Sequence, residues 1–451
     1  MHDAAKQAPI LHEVSWRIVR VRDIALPEKT VHKAKRVLLD TVGVGLVGSG
    51  TDLHDIACRA SINECAPGEC RVWGHSRSLG AEGAVFFNSL AASALDYDEG
   101  HVAAAGHPAS LVVPTAIALG REAGSEFSSL LKGITVGYEI GTRFSAARDF
   151  SRVDTFSSGR WGALASAASA AVLLDLSEEQ TMHALSLSVL LSPVMMGGHI
   201  DVSTGSMAKE GVAWAAKTGV HAARLAGGGF TGPYLFLDET EAYAQETLLS
   251  GFGERWHIET NYHKPYACCR WIHPAIEACL ELKREREISF ERIQSVEIET
   301  FSRIIDLAQT RRPHNSPQAQ FNLPFCVAAA LYHDALTPDC LEGDNLNKEE
   351  VLALAAGISM QASKEFDEAF PATTPCRVTI RTSDGAFVSR VFDRPKWGAD
   401  NPATDEELYR KFRFLTGDAG DNLWYPVVRD EVRSAGELDR LIGGFRVSRR
   451  T

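Results

Sequence analysis

The sequence predicts a mainly α protein, with a large all-helical domain over 1–262 joined by 400–451 and a smaller α+β domain over 263–399. Three observations predict this. Apolar residues recur at helical spacing through the first ~260 positions. Beyond residue 262 two segments alternate apolar with polar, as half-buried strands do. After the loop RPKWGADNPAT, a Thr-led acidic turn restarts a helical pattern that leads into the last fifty residues.

The elements follow in order. In PEKTVHKAKRVLLDTVGVGL, Val31, Ala34, Leu38 and Val42 share one helical face, with proline at the start and glycine near the end. Helices are expected over Ala81 to Leu95, Ser110 to Glu122, Ser128 to Arg143, Gly162 to Leu174, Glu178 to Leu190 and Gly211 to Leu225. In these stretches Ala, Ser and Gly recur three or four apart, a spacing that lets helix axes approach closely. QSVEIETF from Gln294 is a strand, and CRVTIRTSDGAFVSRVF from Cys376 is a hairpin across Ser-Asp-Gly. Helical runs lie between them at Ala275 to Arg286, Phe325 to Ala335 and Lys348 to Ile358, and Thr404 begins a capping box. No internal repeat and no low-complexity tract interrupts the chain.

Composition narrows the function classes. The 451 residues carry 46 Lys plus Arg against 58 Asp plus Glu, a net charge of −12, with 45% hydrophobic residues. No basic stripe exists for nucleic acid to bind, so none is expected as a partner. The nine cysteines are scattered and odd in number, which reads as reduced thiols rather than a disulfide framework. The longest apolar stretch, Trp161 to Leu176, is too short and too rich in Ala and Ser to span a bilayer, so no membrane partner is expected. The first twenty residues lack an apolar signal core, and a cytoplasmic protein is expected, or an organellar one if a presequence was removed.

Four segments carry chemistry. LDYDEGH followed by GHPAS gathers three carboxylates (Asp96, Asp98, Glu99) and two histidines (His101, His107) within twelve residues. Such a set can supply a positioned acid and base, or a solvated helix end; its spacing matches neither HExxH nor an EF-hand loop. STGSMAKEG places Lys209 at a Gly-bearing helix start, where a lysine and free N–H groups can meet a carboxylate, although an exposed lysine is the more common outcome. No GxGxxG or GxxxxGK[ST] occurs there, which disfavours nucleotides. HKPYACCRWIHP crowds His263, Lys264, Tyr266, Cys268, Cys269, Arg270 and His273 at the expected domain junction, where pockets usually form. Lys264 and Arg270 suit carboxylates, His273 could titrate near neutrality, and Tyr266 could donate a hydrogen bond. The alternative is a structural linker with packed thiols. AQFNLPF at Ala319 reads as a helix cap.

Taken together, KRVLLDTVGVGLVGS, VWG, LDYDEGH with HPAS, WGALASAASAAVLLDLSEEQTMHALSLSV, SMAKEG with GFTGP, KPYACCRWIHPAIEA, AQFNLPFCVAAAL and NPAT…KF run nearly end to end. In order and spacing they resemble the MmgE/PrpD family, which includes 2-methylcitrate dehydratases, cis-aconitate decarboxylases and an iminodisuccinate epimerase. The resemblance implies a helical domain closed by the C-terminal segment, an α+β domain, a homodimer, and a site between the domains that uses neither metal nor cofactor. It places the family's acidic element on Asp96, Tyr97, Asp98 and Glu99, its HPS histidine on His107, and its lysines on Lys209 and Lys264, followed by Cys268, Arg270 and His273. Two positions depart: Gly100 stands where a Thr is usual, and Phe156, Ser157 and Ser158 occupy a stretch where a histidine is expected.

The expected catalytic set is Asp96, His107, Lys209 and His101. His107 moves the proton, Asp96 orients it, and His101 or His273 is the second partner. Lys264, Tyr266, Cys268, Arg270, His273 and Ser158 are expected to bind a di- or tricarboxylate substrate, whose enolate-like charge the cations would stabilise. The expected reaction is cofactor-free dehydration of 2-methylcitrate or a related alkylcitrate. The alternatives are an epimerase of a dicarboxylate such as iminodisuccinate, a cis-aconitate-type decarboxylase, and a non-catalytic carboxylate binder.

Overall fold

A computed structural model describes residues 9–153, 155–193, 204–239, 242–307, 310 and 312–445. The chain opens with α1 (Ile10–Val21), α2 (Glu28–Gly48) and α3 (Asp52–Ser61), then a two-stranded antiparallel ribbon, β1 (Pro67–Arg71) with β2 (Ser78–Leu79). Six helices follow among the described residues: α4 (Ala81–Ser93), α5 (Ala109–Ala123), α6 (Phe127–Ala146), α7 (Gly162–Leu173), α8 (Glu178–Leu191) and α9 (Val212–Gly227). Every residue of α7 is buried, and α1, α5, α6, α8 and α9 all pack on it. That explains its composition, because a helix enclosed on all sides by others needs small residues to let their backbones close in. At Gly219 of α9 an added Cβ would lie 2.3 Å from the Ala163 carbonyl oxygen, so that crossing accepts only glycine.

A second apolar cluster runs from Tyr266 to Phe392. It is built on α10 (His273–Glu285), β3 (Ile293–Thr300), α11 (Leu323–His333), α12 (Glu349–Gly357), β4 (Ser359–Ala362), β5 (Arg377–Thr382) and β6 (Gly385–Val388). The sheet order is β4-β3-β5-β6, with β3–β4 parallel and the other pairs antiparallel. Val296 and Ile298 of β3 face the core with Val378 and Ile380 of β5, and α10 covers them. The last elements, α13 (Asp405–Thr416), α14 (Asp421–Val428) and α15 (Ala435–Gly443), return to the first cluster, where Leu408, Phe412, Leu423, Leu438 and Ile442 are buried. The Thr404–Glu407 capping box that starts α13 is formed.

The protein is mainly α with a smaller α+β part, as the periodicity predicts. The departures are small. The β1–β2 ribbon lies inside the region read as all-helical, because its short segments PGECR and SL carry no alternation to reveal a strand. No described helix is long and apolar enough to cross a membrane, and all nine cysteines are free thiols.

Candidate active site

Between the two clusters lies a cavity of about 350 Å³. Its floor is set by the turn after α4. Asp96 adopts a left-handed conformation (φ 49°), which reverses the chain, and Gly100 then pairs with Tyr262 through both backbone hydrogen bonds. A Cβ on Gly100 would fall 2.3 Å from the Tyr262 hydroxyl, so the phenol fills the space that a threonine would need. The loop returns through His101 and Gly106 to His107, just ahead of α5.

His107 is held on three sides. Its backbone N–H donates to Ser158 Oγ at 3.0 Å, and its Nδ1 lies 2.9 Å from the Glu99 carbonyl oxygen and 3.3 Å from Asp98 Oδ2. A carbonyl only accepts, so Nδ1 carries a hydrogen and Nε2 is left as the working nitrogen. The His107 side chain is 12% exposed and lines the cavity. Burial opposes a charge on the ring, but the Asp98 carboxylate outweighs it and pushes the imidazole up to about 9. Asp98 is fully buried, yet His107 and the Ser110 hydroxyl at 2.5 Å hold it well below the usual carboxylate range. Neighbouring Glu99 behaves oppositely. Burial pushes it up to about 8, although Tyr138 Oη, Asn261 Nδ2 and the Ala109 N–H all donate to it. Two adjacent carboxylates are thus pushed in opposite directions by their surroundings.

Asp96 is the meeting point of the cations. Lys264 Nζ lies 3.2 Å from its Oδ2 and donates to its carbonyl at 2.9 Å, while Lys209 Nζ stands 3.9 Å from Oδ1 and donates to Gln320 Oε1 at 2.7 Å. His107 Nε2 is 3.8 Å from the same Oδ1. Burial works against the charge on Lys264, but Asp96 and Asp98 keep it raised. Lys209, Glu210 and Gly211 have φ of 45°, 58° and 71°, a left-handed run that lets Glu210 line the cavity and accept from both the N–H and the hydroxyl of Ser158. Such strain in two non-glycine residues is retained where surrounding contacts enforce it, typically at functional sites. Together Lys209, Lys264, Arg270 and His107 set four cationic groups against the carboxylates of Asp96, Asp98 and Glu210.

The expected residues divide into three groups. Asp96, His101, His107 and Arg270 line the cavity; Lys209 and Lys264 reach Asp96 from behind it, and Ser158 supports His107. The rest need correcting. Asp98, not Asp96, sits beneath His107, because the left-handed turn at Asp96 sends the two side chains to different neighbours. Tyr266, Cys268 and His273 belong to the apolar second cluster or its edge rather than to the cavity wall. His273 Nε2–H donates to the Cys268 carbonyl and Nδ1 accepts from Arg270; burial and then Arg270 drive it well below its usual range. His101 has both nitrogens occupied, by Thr260 Oγ1 and the Ala103 N–H, and burial pushes it down to about 3. Neither histidine is therefore suited to proton transfer. Arg270 uses its terminal nitrogens on the carbonyls of His263, Pro395 and Lys396, fastening the loop that forms one rim; burial lowers it to about 10, and it remains a cation.

Residues given no site role from sequence complete the wall: Glu210, Phe156, Trp271, Arg303, Thr373 and the segment near Asp393. Glu210 had a visible signal, standing next to Lys209 in a polar helix start. Those from 303 to 400 had none. Among the described residues no group of three or more His, Cys, Asp or Glu could hold a metal ion.

Comparison with known proteins adds a second line. A family model for the MmgE/PrpD N-terminal domain matches residues 13–252, and one for the MmgE/PrpD C-terminal domain matches residues 266–422. A cis-aconitate decarboxylase of Aspergillus terreus is 27% identical over 92% of this chain and 90% of its own length. A cis-aconitate decarboxylase-like protein, oryM, of Aspergillus oryzae is 26% identical over 98% and 99%. The cis-aconitate decarboxylase of Mus musculus is 24% identical over 93% and 90%.

Proposed function

Because the chain belongs to the MmgE/PrpD family, we propose that it is a lyase of small polycarboxylates, with decarboxylation of a cis-aconitate-like acid as the favoured reaction. The observation that carries this reading is the placement of His107, between Asp98 and the Glu99 carbonyl on one side and the cavity on the other. With Asp98 and the Glu99 carbonyl behind Nδ1, the ring rests as an imidazolium whose Nε2–H faces the cavity. Loss of carbon dioxide from an unsaturated acid needs a proton donor at the start. The C–C bond to the departing carboxylate breaks and its electron pair forms a new C=C bond, while the original π pair moves to the far carbon as a carbanion delocalised into a second carboxylate. Nε2 then delivers its proton to carbon, and water restores the imidazolium. The field of Lys209 and Lys264, which meet at Asp96, favours build-up of negative charge on that carboxylate. The matched relatives named for cis-aconitate decarboxylation favour the same substrate class.

Dehydration of 2-methylcitrate is the second reading, favoured by Glu210. Elimination of water needs a base as well as an acid, and this carboxylate, fixed to Ser158, lines the same cavity as His107. Incubation with cis-aconitate, 2-methylcitrate, citrate and iminodisuccinate separates the cases. We expect carbon dioxide release from cis-aconitate, and a loss of at least ~10²-fold in kcat for His107→Gln. Enoate absorbance without carbon dioxide would favour dehydration, and solvent deuterium exchange alone an epimerase. Turnover at the wild-type rate in His107→Gln would remove His107 from the mechanism.

A further inference from the structure

Two kinds of side chain line the cavity: Asp96, His107 and Glu210 among the polar ones, and Phe156, Trp271, Leu307 and Phe321 among the apolar ones. The apolar wall is built rather than incidental. Phe156 meets Trp271 edge-on with ring centres 5.6 Å apart, Trp271 meets Phe370 the same way at 5.0 Å, and Phe370 stacks on Phe301 at 4.6 Å. Interlocked rings of this kind form a fixed face, because each is held by an edge-to-face or stacked neighbour. The face also begins beside the reacting groups. Phe156 is two residues from Ser158, which supports His107, and the Phe321 ring lies 5.0 Å from Lys209 Nζ. Arg303, which lines the cavity with Arg270 and Arg394, lies over the Phe156 ring at 5.5 Å and so presses on the wall instead of breaking it.

A small acid with nothing but carboxylates and hydroxyls leaves such a face wet. We propose that the substrate is a polycarboxylate bearing an apolar arm of several carbons, with its acid groups beside Asp96 and His107 and the arm against Phe156 and Trp271. This rests on the reading of the cavity as a polycarboxylate site, and gives that site its selectivity: burial of each added methylene strengthens binding about fourfold.

The test uses 2-methyl-, 2-butyl- and 2-hexylsuccinate as unreactive probes. Their Kd values are measured by calorimetry on the intact protein, with citrate as competitor, alongside turnover of cis-aconitate. The expected result is one citrate-displaceable site per chain whose Kd falls about fourfold per methylene, with that slope flattened in Phe156→Ala. A Kd independent of arm length in the wild type overturns the proposal, whatever the variant does. The two readings fail separately. Turnover of cis-aconitate with a flat series removes the arm and keeps the lyase, whereas a steep citrate-displaceable series with no acid turned over keeps the arm's seat and removes the lyase.

Discussion

At the scale of single residues, the site is defined by how three carboxylates in one short segment are driven apart. Asp98 is held low by His107 and Ser110, Glu99 is pushed up by burial, and Asp96 is pinned between two lysines. The density of acids and histidines made the segment conspicuous in the sequence, but their division of labour was not legible. It depends on the left-handed turn at Asp96, which no local pattern announces. Gly100 is similar: its departure from threonine was visible, and its reason, the Tyr262 hydroxyl in the space a Cβ would need, lies 162 residues away. The Asp98–His107 pair makes a pH prediction. Asp98 raises His107, so the acid form should be present below about 9 and activity lost as pH rises through that value. Asp98→Asn removes the charge that stabilises the imidazolium. The alkaline limb of kcat/KM should therefore move to lower pH by at least ~1 unit. An alkaline limb that stays in place would mean that another group sets it.

At the scale of elements, the helices that frame the cavity were legible because their periodicity is strong, whereas β4 was not. SMQA carries no alternation and becomes a strand only by pairing with β3, whose Glu297 to Thr300 lie some sixty residues earlier. α13 shows how an element far along the chain can serve the site. Its buried face carries Lys411, which donates to the Tyr97 carbonyl at 2.7 Å and pairs with Asp40 of α2 at 2.7 Å, while Asp40 lies 3.5 Å from His263. Residues 97 and 263 adjoin Asp96 and Lys264, so α13 supports the site from behind. Its start depends on Thr404, whose hydroxyl accepts from the Glu407 N–H while Glu407 bonds back to Thr404. Thr404→Ala should lower the unfolding free energy by about 1 kcal/mol, read as a shift in urea midpoint, with kcat unchanged while the protein is folded. A fall in kcat without loss of stability would show that the end of α13 positions the acidic turn more directly than its core contacts suggest.

At the scale of the whole molecule, the net charge of −12 conceals a local reversal. The sequence could show that Lys209, Lys264 and Arg270 were available, but not that two of them would arrive at one carboxylate from opposite sides of the junction. Lys209 precedes α9 of the helical part, Lys264 precedes α10, and both end at Asp96 with almost no exposure. This junction is held by charge in a place where apolar residues would hold it more simply. Buried ion pairs rarely add net stability over an apolar substitute, yet removal of one partner strands the other. Lys264→Met should therefore cost about 3–5 kcal/mol, since Asp96 loses its nearest counter-charge and its carbonyl loses a donor. Asp96→Asn in the same chain removes the stranded charge and should restore most of that loss, measured by chemical denaturation. Activity should not return with it, because the double variant lacks both the cation that favours enolate-like charge and the carboxylate beside His107. Recovery of stability and turnover together would mean that the pair serves only the fold. Recovery of stability alone would assign the cost of burying these charges to catalysis.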